Sequence, residues 1–238
     1  GGGGYAELAA VPQDMVLPLP AGLGMAEAVA IPESFATAFL NLHGEAGMQA
    51  GDTVLVQAGA SGLGLAAIQL AKLAGATVVT TVGSPAKRDF AAAFGADIVV
   101  DHKNEDLVAV LQRHPPDIAL DCVAGPDLGR QLACLRRGGR WIVIATLAGP
   151  TATIDAGDLF RRGLRLIGST LRSRSPAAKA RLLARMEHEL WPAFADGRLR
   201  VAIHQALPMA RADEAHDILR RNANMGKVVL TLPAAEHA

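Results

Sequence analysis

The sequence predicts an α/β fold built on a doubly wound parallel sheet, accompanied by part of a smaller β-rich unit. From residue 51 onward, short β-branched apolar runs alternate with stretches rich in Ala and Leu. Glycines and prolines punctuate the joins, and one strand-to-helix joint is rich in glycine. Strands that alternate with helices at this rhythm imply right-handed crossovers and a sheet covered on both faces.

Each element follows from local chemistry. Residues 53–58 (TVLVQA) are apolar and β-branched between Gly51-Asp52 and Gly59, which predicts a buried strand. Residues 62–74 contain no proline and end at Gly75, which predicts a helix. A second strand is expected over 77–82. Pro85 suits the first turn of the next helix, which runs to Phe94 and stops at Gly95. Strand 98–100, helix 105–112, strand 118–122 and helix 127–136 follow, then Gly138-Gly139 and strand 141–145. Residues 164–170 are expected as a strand at one edge of the sheet, followed by an amphipathic helix over 176–194. Residues 201–208, a helix over 212–222 and a strand over 227–232 read as a separate unit. The first twenty residues, with Pro12, Pro18 and Pro20, read as the tail of a β-rich module.

Composition narrows the function classes. Lys+Arg and Asp+Glu balance at 23 each, so nothing points to nucleic acid or an acidic membrane as partner. Arg172, Arg174, Lys179, Arg181 and Arg185 crowd one stretch, read as a solvated helix face. The two cysteines, Cys122 and Cys134, offer neither a disulfide framework nor a zinc spacing, which suits a reducing, cytoplasmic compartment. No apolar run reaches the roughly 18 residues needed to span a bilayer; the longest, over 63–82, is broken by Gln69, Lys72 and Gly75. The opening Gly1-Gly2-Gly3-Gly4-Tyr5 is neither an initiator methionine nor a signal peptide, and a fragment of a longer chain is expected.

Gly59-Ala60-Ser61-Gly62-Leu63-Gly64 lies between the first strand and its helix. In the G-x-G-x-x-G fingerprint the first glycine makes the turn, the second lets backbone approach a pyrophosphate, and the third packs helix on strand. Here Gly59 and Gly64 hold the outer positions, Ser61 replaces the middle glycine, and Gly62 follows it. The free N–H groups of the helix start would face the phosphates. A plain α/β turn without a ligand is the competing reading; the position at the head of a βαβαβ series favours a Rossmann dinucleotide-binding domain. After the second strand the chain reads Thr81-Val82-Gly83-Ser84-Pro85-Ala86-Lys87-Arg88, with none of the carboxylates that hold the ribose of NAD. Ser84 can donate a hydrogen bond and Lys87 or Arg88 can supply positive charge, or the two cations can be ordinary surface groups. NADPH is therefore favoured over NADH.

The chain resembles the zinc-free quinone oxidoreductase (zeta-crystallin-like) branch of the medium-chain dehydrogenase/reductase superfamily. The resemblance is carried by Ile31-Pro32-Glu33-Ser34-Phe35-Ala36-Thr37-Ala38-Phe39, by Gly51-Asp52-Thr53-Val54-Leu55-Val56, and by Ala58-Gly59-Ala60-Ser61-Gly62-Leu63-Gly64. Leu171-Arg172-Ser173-Arg174 and Asn224-Met225-Gly226-Lys227-Val228-Val229-Leu230 add to it and point to NADPH:quinone reductases. It implies a GroES-like catalytic domain, mostly lying before Gly1, with its tail over 1–25, a Rossmann domain over 26–196, and a segment over 197–238 that returns to the catalytic domain. It further implies that Thr37 and Lys227 lie at the nicotinamide end, that Gly59, Ser61, Gly62 and Leu63 meet the pyrophosphate, and that Ser84 and Lys87 hold the 2′-phosphate. His102 stands where the family often has Tyr near that phosphate. Val123 and the turn Ala145-Thr146-Leu147 would lie along the cofactor, and the strand over 164–170 would pair with its twin in a homodimer. Zinc-dependent relatives carry a ligand cysteine four residues before Thr37; this chain has Glu33 there, so no metal site is expected.

Three activities stay open at this level. One is hydride transfer to a quinone, with Thr37 and Lys227 stabilising charge on the acceptor oxygen in place of zinc. Another is reduction of an enone, 2-alkenal or enoyl double bond, whose polarised conjugation makes the same demand. The third is a non-catalytic NADPH-binding protein. Glu33 would orient a water, tie down backbone, or serve as a structural carboxylate near a helix start.

Overall fold

The computed structural model describes residues 3–232. They form two compact units, one of Thr37–Ser173 and one of the described residues before and after that span. The chain begins with α1 (Met25–Ala28) and α2 (Pro32–Phe39), and no strand is assigned among the described residues before residue 53. The described part of the first twenty residues, read in the sequence as the tail of a β-rich module, carries no strand of its own. Three prolines there, Pro12, Pro18 and Pro20, lack the N–H that a ladder requires, and only a 3-10 turn at Gln13–Met15 forms.

The Thr37–Ser173 unit alternates strand and helix as the sequence predicts. Its elements are β1 (Thr53–Val56), α3 (Gly62–Leu73), β2 (Thr77–Val82), α4 (Pro85–Ala93), β3 (Ile98–Asp101), α5 (Leu107–Arg113), β4 (Ile118–Asp121), α6 (Leu128–Leu132), β5 (Arg140–Val143), α7 (Ala156–Arg162) and β6 (Arg165–Gly168). All six strands run parallel in the order β3-β2-β1-β4-β5-β6. The strand over 164–170 does lie at an edge. The order of strands reverses between β1 and β4, the switch point at which open α/β sheets bind ligands beyond the strands' carboxyl ends.

Leu55, Val79, Ala119 and Trp141, from four adjacent strands, meet Leu107, Leu111, Leu128 and Leu132 from α5 and α6 in one core. Trp141 is wholly buried, and its indole N–H donates to Asp121 Oδ2 at 2.9 Å, so the ring's polar edge is satisfied inside that core. α5 starts two residues later than expected because Asp106, not a residue before it, caps the Val108 amide. The short helix α7, capped by Asp155 and closed by Gly163 in the left-handed conformation, has too few apolar residues to show a period in the sequence.

In the second unit α8 (Pro176–Ala195), β7 (Ile203–Pro208), α9 (Ala212–Arg220) and β8 (Lys227–Thr231) follow in the described residues. β7 and β8 pair in parallel, with Leu207 opposite Leu230, and Ala215 and Ile218 of α9 cover Leu207. Phe35 packs edge-on to Phe194 at 4.9 Å, and Trp191 Nε1 donates to the Pro18 carbonyl at 3.0 Å. Among the described residues no helix is long and apolar enough to cross a membrane.

Candidate functional site

The turn after β1 is held from the neighbouring strand. Gln57 is buried, and Ala58 adopts the left-handed conformation at φ 57°, unusual for a residue with a side chain. Thr81 at the end of β2 fixes both. Its hydroxyl accepts the Ala58 N–H at 3.0 Å and donates to Gln57 Oε1 at 2.7 Å, and its carbonyl accepts the Gly59 N–H at 2.8 Å. Gln57 Nε2 passes the network on to Gln131 Oε1 at 2.9 Å. A strained backbone persists only when its surroundings determine it several times over, and four hydrogen bonds do so here.

The glycines have steric causes. A Cβ on Gly59 would overlap the Thr80 hydroxyl, which is itself bonded to the Val56 carbonyl at 2.6 Å. A Cβ on Gly64 would strike the Ala58 carbonyl and stand 2.7 Å from Gly59 Cα, so only glycine lets α3 press on the turn. Ser61 caps α3, its hydroxyl accepting the Gly64 N–H at 3.0 Å. The Ser61 carbonyl takes the Leu65 amide at 2.9 Å. The Gly62 and Leu63 amides, at the first two positions of the helix, meet no acceptor among the described residues. Both residues are half-buried. They are therefore donors that a phosphate could use at the positive end of the helix dipole.

β2 ends at Val82, and Ser84 caps α4 by accepting the Lys87 amide at 3.3 Å, with Pro85 at the first helical position. Of the two cations left open by the sequence, Arg88 turns away. It donates to the Val99 carbonyl and pairs with Glu105, which also accepts the Asp101 N–H at 2.8 Å. Lys87 is half-buried, and burial first, then the nearby Lys103 ammonium, lower its pKa. His102, after β3, stands with Nε2 3.1 Å from where a Cβ on Gly83 would lie. Asp101 faces inward, accepting from Asn104 Nδ2 at 2.8 Å and from the Lys103 amide at 3.1 Å, and these two bonds hold its carboxyl below the usual range.

Beyond β4 the buried Asp121 accepts the Val123 and Ala124 amides at 2.7 and 2.9 Å through Oδ1, which shapes the loop carrying Val123. The turn after β5 docks on that loop: Leu147 N–H donates to the Cys122 carbonyl at 3.1 Å and Ala148 N–H to the Val123 carbonyl at 2.9 Å. Ala145 is half-buried and Thr146 and Leu147 are exposed. The Leu147 amide is thus already engaged, and what that residue can offer a ligand is its carbonyl or side chain.

The structure gathers Gly59, Ser61, Gly62, Leu63, Ser84, Lys87, His102, Val123, Ala145, Thr146 and Leu147 at the carboxyl ends of the five strands β1 to β5. Thr37 lies on α2 in the same unit, half-buried, with its carbonyl accepting Asn41 Nδ2 at 2.7 Å. Asn41 and its setting were not legible in the sequence: α2 runs into a π-helical stretch, Leu40–Glu45, and nothing in LNLHGE announces it. Lys227 belongs to the other unit, where its ammonium meets Glu33 Oε2 at 3.1 Å. Glu33 is therefore an ion-pair partner, a role that its 194-residue separation from Lys227 hid.

Among the described residues no three His, Cys, Asp or Glu side chains gather as a metal site. Glu33 already faces an ammonium, and burial, with Asp121 beside it, pushes the Cys122 thiol up to about 11.

Residues 62–187 match the family model described as zinc-binding dehydrogenase. The chain is 34% identical over 224 residues to the spectinabilin polyketide synthase system protein NorB of Streptomyces orinoci; the match takes in 93% of the chain but spans only 10% of that protein. It is 29% identical to the quinone oxidoreductase of Sus scrofa, covering 97% of the chain and 70% of the relative. Among solved structures, the quinone oxidoreductase of Thermus thermophilus, studied also as its complex with NADPH, superimposes with a TM-score of 0.85 at 34% identity. That match covers 97% of the chain and 74% of the other protein.

Proposed function

Since this chain belongs to the zinc-binding dehydrogenase family, in the quinone oxidoreductase-like branch of the medium-chain dehydrogenase/reductases, we propose that it is an NADPH-dependent oxidoreductase that reduces quinones without zinc. The observation that carries the cofactor reading is the α3 amino terminus at the sheet's switch point, with two amides unclaimed and Lys87 on the helix that follows the neighbouring strand β2. Gly59, Ser61, Gly62 and Leu63 would hold the pyrophosphate, while Ser84, Lys87 and His102 would hold the 2′-phosphate. Val123, Ala145, Thr146 and Leu147 would line the path between, and Thr37 and Lys227 would serve the nicotinamide end.

A nicotinamide held there would supply the hydride, and the residues of this chain would supply orientation and electrostatics. As the acceptor takes up the hydride, negative charge grows on its oxygen and needs a donor. The Thr37 hydroxyl and the Lys227 ammonium are the groups proposed for that task. Glu33, paired with Lys227, would fix where the ammonium points.

The wider assembly is also part of the proposal. Residues 1–25 and 197–238 would belong with a GroES-like catalytic domain and 26–196 with the dinucleotide-binding domain, and the protein would work in the cytoplasm. Edge strand β6, with Arg165 and Leu166 exposed, would pair with a second copy; a solution mass twice that of the chain is expected, and a monomer contradicts it.

Side-by-side turnover of a benzoquinone and a 2-alkenal, followed by NADPH absorbance, tests the reaction. Faster oxidation of NADPH with the quinone is expected. Turnover of the alkenal alone would move the assignment to double-bond reduction. Tight NADPH binding with neither acceptor reduced would leave a binding protein and overturn the enzyme reading.

A further inference from the structure

Among the described residues of the Thr37–Ser173 unit, two that are not glycine take the left-handed conformation, and they flank the switch point. Ala58 follows β1 at φ 57°, and Ala124 follows β4 at φ 51°. Each has its amide held by a buried side chain at the end of a strand, Ala58 by the Thr81 hydroxyl at 3.0 Å and Ala124 by Asp121 Oδ1 at 2.9 Å. Gln57 extends the ladder of β1, its N–H donating to the Leu120 carbonyl at 3.0 Å. Side chains alternate along a strand, so Gln57, Thr81 and Asp121 share the sheet face of Leu55, Val79 and Ala119, which lie in register across β1, β2 and β4. α5 and α6 pack on that face, and its core turns polar at the carboxyl ends of these three strands.

The order of protons in this layer is forced. The Thr81 hydroxyl accepts the Ala58 N–H, so its own proton goes to Gln57 Oε1 at 2.7 Å. That bond fixes which end of the Gln57 amide faces β2. Nε2 is left to face α6, where Gln131 Oε1 accepts it at 2.9 Å. Gln57 is buried, and among the described residues Gln131 is the one acceptor that its Nε2 meets. No described residue accepts a bond from Gln131 Nε2, so Gln131 is used for its oxygen. Asp121 stands outside this relay, spent on the Val123 and Ala124 amides and the Trp141 indole. α6 follows the loop that carries Val123, so the bond from Gln57 to Gln131 is a strut across the switch point, joining segments 74 residues apart.

We infer that Gln131 is a positioning residue: through Gln57 and Thr81 it holds the left-handed Ala58, and so sets the spacing between the Gly59–Gly64 turn and the Val123 loop. This rests on the cofactor reading above, which puts the diphosphate on that turn. Gln131 is half-buried, so a change there leaves the apolar core intact. Gln131→Leu removes the acceptor and keeps the bulk, while Gln131→Glu keeps an oxygen for Gln57 Nε2.

Amide hydrogen exchange, read by NMR on the protein without ligand, tests the strut directly. In Gln131→Leu the Ala58 amide is expected to exchange about tenfold faster, because the buried Gln57 Nε2 loses its acceptor and the relay to Thr81 loosens. The Val123 and Ala124 amides, held by Asp121, should keep their rates. Gln131→Glu should bring Ala58 back to within about threefold of the parent. Fluorescence titration of Gln131→Leu should then show NADPH and NADH weakened alike, about 5- to 20-fold, since both carry the diphosphate. Unchanged Ala58 exchange in Gln131→Leu, a loss of protection spread evenly over β4 and α6, or no recovery in Gln131→Glu would overturn the strut. Faster Ala58 exchange with both affinities unchanged would overturn the positioning role. A parent protein that binds neither nucleotide would overturn the cofactor reading, and the exchange rates would still judge the strut by itself.

Discussion

Replacing Ser61 by leucine is expected to weaken both NADPH and NADH by about a hundredfold or more, roughly 3 kcal/mol, while the parallel sheet stays folded. Two losses combine. The hydroxyl that accepts the Gly64 N–H at 3.0 Å disappears, which costs about 1 kcal/mol of helix capping. The larger loss is access: an isobutyl group would stand beside the Gly62 and Leu63 amides, where a pyrophosphate must approach backbone closely. Ser61→Ala removes the cap without the bulk and should therefore lose far less affinity. Equilibrium titration by nicotinamide fluorescence, with circular dichroism as the control for folding, separates the two effects. Undiminished binding in Ser61→Leu would mean that the diphosphate lies elsewhere.

Lys87→Ala is expected to act on one cofactor only. A charge-assisted hydrogen bond to a phosphate contributes about 1.5–3 kcal/mol, so NADPH should weaken roughly 10- to 100-fold and NADH hardly at all. Arg88 cannot substitute, because its guanidinium is committed to Glu105 and the Val99 carbonyl. The depressed pKa of Lys87 points the same way: burial and Lys103 destabilise its charged form, and a bound phosphate would restore it. NADPH affinity should then rest on the protonated ammonium and fall as pH rises through the lysine's pKa. Equal losses for the two cofactors would contradict the selectivity.

The order of elements was legible because each strand is a short buried run between residues that end it. TVLV sits between Gly51-Asp52 and the glycine turn, and TVVTTV between Gly75-Ala76 and Gly83. The glycine turn was legible for the same reason, since Gly59 and Gly64 are required by contacts with immediate neighbours along β1, β2 and α3. What stayed hidden depends on the rotation of a helix or on distant partners. Lys87 and Arg88 are adjacent in sequence, and which of them is tied into an ion pair with Glu105, seventeen residues beyond Arg88, is not written in that stretch. Thr81 looks like an ordinary strand residue, yet its hydroxyl and carbonyl hold the strained Ala58 and Gly59. The pairing of Glu33 with Lys227 joins the two ends of the described chain. The π-helical stretch after α2 has no side-chain period of its own to read.

The central claim is that a nicotinamide dinucleotide binds on the amino terminus of α3, and direct titration of the unmodified protein with NADPH and NADH tests it most simply. Saturable binding of both, with NADPH the tighter and its advantage shrinking as salt is raised, is the predicted result. Absence of saturation with either reduced nucleotide would contradict the account at its root.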